Sequence, residues 1–181
     1  MFPRLLETMP RKKLKSSTNS KAKPVAFGKA SVVREAGPDR FNNRFELMLA
    51  DFERAVSKFE EVLARPCGDD DIVRDSALQR FEFSVELAWK TTRVYLIENL
   101  KLEMKPASAP NSLSSPKGVI REAFVQGLIG DEPFWLKMLD NRNLLSHVYN
   151  EKAAEAIFPT LPKAFSLCRD LLKALKERRY D

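Results

Sequence analysis

Histidine is almost missing from this sequence: His147 is the only one in 181 residues. A cluster of imidazoles around a metal is thereby excluded, as is an H-E-x-x-H helix. Cysteine is nearly as scarce. Cys67 and Cys168 have no metal-ligand spacing and build no framework of bridges, which points to a reduced, cytoplasmic setting. Glycine is low as well, at six, and neither a Gly-rich phosphate loop nor a G-x-S-x-G elbow occurs. No apolar run approaches the roughly 20 residues of a membrane-spanning helix. No membrane, cofactor or metal is therefore expected.

What is present leans towards helix: much Leu, Ala, Glu, Lys and Arg, in a chain long enough for one good hydrophobic core. The formal charge of +6 is unevenly spread. Residues 1–40 carry ten Lys or Arg against Glu7, Glu35 and Asp39, while 41–181 carry 21 basic and 22 acidic residues. The basic character belongs to the tail, and bulk charge gives the body no affinity for nucleic acid. The tail itself has no sustained apolar period, so it is expected to be disordered. A nucleic-acid arm, a targeting segment and a dispensable extension all remain open for it.

From Phe41 the pattern changes. Phe45, Leu49, Phe52, Val56, Phe59 and Leu63 follow at steps of 4, 3, 4, 3 and 4, the seam of an amphipathic helix. Asp69, Asp70 and Asp71 then open a second long helix as cap and dipole complement rather than as a cation site. Phe81, Val85, Ala88, Thr92 and Tyr95 line one side of it, with Trp89 and Leu96 widening the stripe. After the loop KPASAPNSLSS, Ser115-Pro116 reads as the cap and first residue of a third helix. Val119, Ile120, Ala123, Phe124 and Leu128 are its apolar side, and Gly130 is its expected end. Asp131 caps a fourth helix through Phe134, Trp135, Met138, Leu139, Leu144 and Leu145. Asn150 caps a fifth running to Glu177, which Pro159 and Pro162 should kink or interrupt. The expectation is an all-α, antiparallel up-and-down bundle of about five helices over 41–181.

The fourth helix ends in RNLLSHVYN, which brings the lone histidine near Arg142 and Tyr149. One reading is structural: a histidine favours the helix C-terminal dipole, an arginine satisfies carbonyls, and a tyrosine packs its ring. The other is catalytic. On an unbroken helix Arg142 and His147 would point roughly 140° apart, so the junction before the fifth helix decides whether the two can meet.

The segment Arg142-Asn143-Leu144-Leu145-Ser146-His147 resembles the signature of the HEPN superfamily: Arg, four to six residues, then His. Within that superfamily RFEFSVELAWKTTRVYL, SPKGVIREAFVQGLI and DNRNLLSHVYN resemble the helices of proteins described as nucleotidyltransferase substrate-binding. The last phrase also fits the longer HEPN toxin signature that ends in tyrosine, here Tyr149. The likeness spans residues 41–178; the basic tail and the Pro159/Pro162 pair depart from it without touching the motif. It implies a homodimer with facing motifs, an RNA substrate and metal-independent endoribonuclease activity. It also implies a minimal nucleotidyltransferase partner that acts as antitoxin by AMPylation of Tyr149. In that scheme Arg142 binds phosphate, His147 transfers protons, and Asn143 and Asp140 support them.

The residue types suit such chemistry. RNA carries its own nucleophile, the 2′-OH. Histidine serves as base or acid near neutrality, and arginine holds phosphate in bidentate fashion. One histidine per chain supplies one proton-transfer group, and a two-fold axis would supply the second. The alternative is a non-catalytic module that presents a substrate or nucleotide to the transferase.

Overall fold

The computed structural model describes the backbone over residues 39–66, 71–147 and 151–178, and side chains over 44–66, 71–145 and 151–178. The described residues form helices α1 (Asp39–Leu63), α2 (Asp71–Glu98), α3 (Pro116–Val125), α4 (Glu132–His147), α5 (Glu151–Ile157) and α6 (Leu161–Glu177). A 3-10 turn, Phe158–Thr160, joins the last two, and no strand occurs among the described residues. The protein is the all-α bundle that the periodicity predicts. The tail expected to be disordered, Asp69, Asp70 and the Asn150 cap lie outside the described residues.

The apolar seam of α1 becomes the centre of the core. Phe45, Leu49, Phe52, Val56 and Phe59 are buried, each contributing about 1.5–3 kcal/mol by leaving water. They pack along α2, and α6 covers both helices. Phe45 lies 5.5 Å from Tyr95 between ring centroids, and Phe59 meets Phe165 of α6 edge-on at 5.8 Å. Cys168 is buried in this layer as a free thiol, and burial pushes its pKa up, which keeps it inert. On its other flank α2 carries α3 and α4, which also pack on each other. The helix α2 is thus the hub of the bundle.

Local signals set several boundaries. Ser115 has extended backbone and its hydroxyl accepts from Gly118 N at 3.1 Å, with Pro116 at the first helical position. Asp131 accepts from Phe134 N at the start of α4. Pro159 and Pro162 split the expected fifth helix into α5, the 3-10 turn and α6, since neither proline can donate the bond that a continuous helix requires.

Two expectations need correction. Gly130 does not end α3; the helix stops at Val125, and Gly127 takes the left-handed turn at φ 66. Phe124 does not join the core and is 46% exposed, because α3 ends there with only one side covered. On α4, Leu144 is 49% exposed.

The long connection between α2 and α3 is held down rather than loose. Arg93 Nε donates to Leu113 O at 2.7 Å, and Arg121 Nη1 donates to Pro110 O at 3.0 Å. Inside it, Glu122 accepts from Lys105 at 2.8 Å, from Asn111, and from Gln126 at 2.9 Å. Burial alone would raise the Glu122 carboxyl's pKa. Hydrogen bonds from Lys105 and Gln126, the Lys105 charge and the Asn111 amide outweigh it and hold the group below its ordinary value.

Candidate active site

The site is built where α2 meets α4. Glu86, Trp89 and Lys90 stand at i, i+3 and i+4 on α2 and so share one face. Lys90 Nζ reaches Glu86 Oε1 at 2.7 Å, and the Trp89 indole N–H donates to Glu86 Oε2 at 2.9 Å. The same carboxylate oxygen accepts from Arg142 Nη2 of α4. Arg142 Nη1 in turn donates to Asn143 Oδ1 at 2.9 Å. The guanidinium is therefore oriented from two directions, by a carboxylate 56 residues away in sequence and by its own neighbour.

Burial would push the Glu86 carboxyl's pKa up. The Lys90 and Trp89 hydrogen bonds, then the charges of Arg142 and Lys90, more than offset this and hold it below the usual glutamate value. Glu86 is an anion at neutral pH, and Arg142 is held by a charge-assisted bond.

Arg142 and Asn143 open onto a cleft of about 450 Å³, walled by Trp89 and Leu139 and by the clamped connection at Ala109 and Pro110. Two further cations, Lys117 and Arg121, line it. Lys117 Nζ donates to Asp140 Oδ1 at 2.7 Å, so Asp140 ties α4 to α3. Asp140 thus braces the wall of the cleft, while Asn143 contacts the guanidinium directly.

Helical backbone continues through His147, the last residue of α4, and places positions 142 and 147 about 140° apart around the axis. The side chain of His147 lies outside the described residues, as does Tyr149. No group of three or more His, Cys, Asp or Glu able to hold a metal ion occurs among the described residues. None of their helices is long and apolar enough to cross a membrane.

Sequence reasoning missed Glu86, Lys117 and Arg121, and it took Trp89 only as part of an apolar stripe. The 3 and 4 spacing of Glu86, Trp89 and Lys90 was readable as one helix face. Its pairing with Arg142 was not, because that depends on how α2 and α4 register along their axes.

Residues 43–177 match the family described as nucleotidyltransferase substrate binding protein like. A probable ribonuclease HepT from Haemophilus influenzae is 32% identical over 115 residues, which is 61% of this chain and 75% of that protein. A crystal structure of a Thermus thermophilus protein is 36% identical with a TM-score of 0.56, covering 69% of this chain and 98% of its own. A Haemophilus influenzae structure, described as revealing the fold of a substrate binding domain of a nucleotidyltransferase, is 25% identical. Its TM-score is 0.51, with 75% of this chain and 98% of that chain covered.

Proposed function

We propose, for a chain that belongs to the nucleotidyltransferase substrate binding protein like family, the role of a HEPN-type toxin: a metal-independent endoribonuclease. It works as a homodimer and is controlled by a minimal nucleotidyltransferase that acts as antitoxin. The observation that carries this reading is Arg142. Its fork is oriented by Glu86 and Asn143 at the mouth of a cationic cleft, five positions before the only histidine. The likeness to a probable ribonuclease of the same family supports it.

In the reaction Arg142 holds the scissile phosphate and stabilises charge on the phosphorane. His147 takes the proton from the 2′-OH, and the His147 of the second copy protonates the leaving 5′-oxygen. The products are a 2′,3′-cyclic phosphate and a 5′-hydroxyl. AMP attached to Tyr149 adds a negative charge near Arg142 and competes with RNA for it.

The test is purified protein with RNA in excess chelator. Cleavage should persist and leave cyclic phosphate ends, and Arg142→Ala and His147→Ala should each abolish it with helicity unchanged. Co-expression with the partner should add an adenylyl mass at Tyr149 and silence the cut. Cleavage that requires divalent metal, or survives both substitutions, sinks the assignment. A second reading, a non-catalytic module presenting substrate to the transferase, is favoured by the description of the Haemophilus influenzae structure. The same assay decides it, because such a module leaves RNA intact.

A further inference from the structure

Trp89 is half-buried and lines two clefts at once. The first is the cleft of about 450 Å³ that holds Arg142, Lys117 and Arg121. The second, of about 290 Å³, is lined by Arg44, Lys90 and Arg93 with Met48 and Val94. Six cations thus flank one indole, three on each cleft; Glu86, Glu98, Glu132 and Asp140 pair with five of them from outside the lining. The body as a whole is close to neutral, so this clustering is a product of folding and not of composition.

The indole is also held in place. Its N–H is taken by Glu86, and the Lys90 ammonium lies 5.7 Å from its ring centroid. The walls around it are braced, Arg93 and Arg121 each tying down a backbone carbonyl of the α2–α3 connection. A fixed aromatic ring between cationic clefts has the two elements of single-strand binding: cations for the phosphates and a π-face for a base. The larger cleft falls within the roughly 300–1,000 Å³ that accommodates a small organic ligand, which leaves room for a nucleobase.

We propose that Trp89 is a base-stacking platform in a single-stranded RNA track that passes from the Arg142 cleft to the Arg44–Lys90–Arg93 cleft. The nucleotide bound at Arg142 stacks its base on the indole, and the neighbouring phosphate meets Lys90 and Arg93. The proposal rests on RNA being the substrate, but it concerns binding and not the cut. Recognition is of a base as such, because every base presents a π-face.

The test uses the full chain carrying His147→Ala, so that RNA is not consumed. It is titrated with oligoadenylate, oligouridylate and an abasic ribose-phosphate chain, each about eight nucleotides long, a typical single-strand site. The protein has two tryptophans, and Trp135 is 1% exposed, so quenching by added RNA reports on Trp89. Both RNAs should quench the emission. Trp89→Ala should weaken their binding by about 5- to 100-fold, the loss of one stacked base, while Trp89→Phe keeps most of the affinity. The abasic chain should bind Trp89→Ala and the parent alike.

Unchanged RNA affinity in Trp89→Ala, or an equal loss on the abasic chain, overturns the platform. The two readings separate in a parallel assay on the protein that retains His147. RNA that binds through Trp89 but is never cut ends the ribonuclease reading and leaves the platform. RNA that Trp89→Ala cuts with unchanged KM ends the platform and leaves the ribonuclease.

Discussion

Glu122 is only 4% exposed, and the bundle tolerates its charge because three donors surround it. Lys105 and Asn111 come from the α2–α3 connection, so the carboxylate anchors one wall of the Arg142 cleft from inside. A carboxyl whose folded pKa is held below its unfolded value, ordinarily about 4.3, stabilises the fold fully above that value. The contribution is lost as pH falls through the folded pKa. Stability in urea should therefore be level through neutrality in this respect and fall in acid. Glu122→Gln should be less stable at neutral pH by about 1–3 kcal/mol, the cost of disturbing a buried charge-assisted network. The gap should close as pH drops below the ordinary glutamate range. A gap that stays constant into acid would show that Glu122 does not act as an anion there.

Among the elements, the connection seats closely on α3 at Gly118. A Cβ at Gly118 would lie 1.9 Å from the carbonyl oxygen of Ser112 and within 2.9 Å of two more backbone atoms of that residue. Ser112 is itself buried, its hydroxyl donating to Lys105 O at 3.1 Å. Helix propensity alone would make Gly118→Ala stabilising by about 1 kcal/mol. The backbone collision reverses the sign, and we expect a loss of about 2–3 kcal/mol, with the Pro110 wall displaced and RNA cleavage reduced. Gly130 has nothing within 4 Å of its would-be Cβ, so Gly130→Ala should change the urea midpoint little. Similar midpoints for the two variants would mean the connection is not seated on α3 as described.

For the whole molecule, the single histidine makes the assembly the question. Acid–base cleavage of RNA calls for two proton-transfer groups, and each chain offers one imidazole. Leu144 lies between Arg142 and His147 and is 49% exposed on α4, an apolar surface beside the motif that a second copy would cover. Leu144→Glu should leave helical content intact, shift the protein to monomer in light scattering, and lower cleavage at least about 100-fold, as expected when a general acid is lost. A Leu144→Glu protein that remains dimeric and active would remove the reason for placing the two-fold axis at this face.

Helix existence, the seam of α1, the Ser115-Pro116 start of α3 and the proline break after α5 could all be read from sequence, since period, cap and missing donor act within a few residues. The Arg142–His147 motif was readable for the same reason: both residues sit on one short stretch. The terminator of α3 was misplaced from Gly127 to Gly130 because either glycine can supply a positive φ, and only the path of the chain over Ala123 and Phe124 selects one. Phe124 stands on the apolar side of α3 and is still exposed, because periodicity shows which residues share a face, not whether anything covers it. Glu86 and Trp89 joined Arg142, and Lys117 and Arg121 joined the cleft, only in the tertiary structure. Their meeting depends on the axial register of α2, α3 and α4, and that register is set by the packing of the whole core.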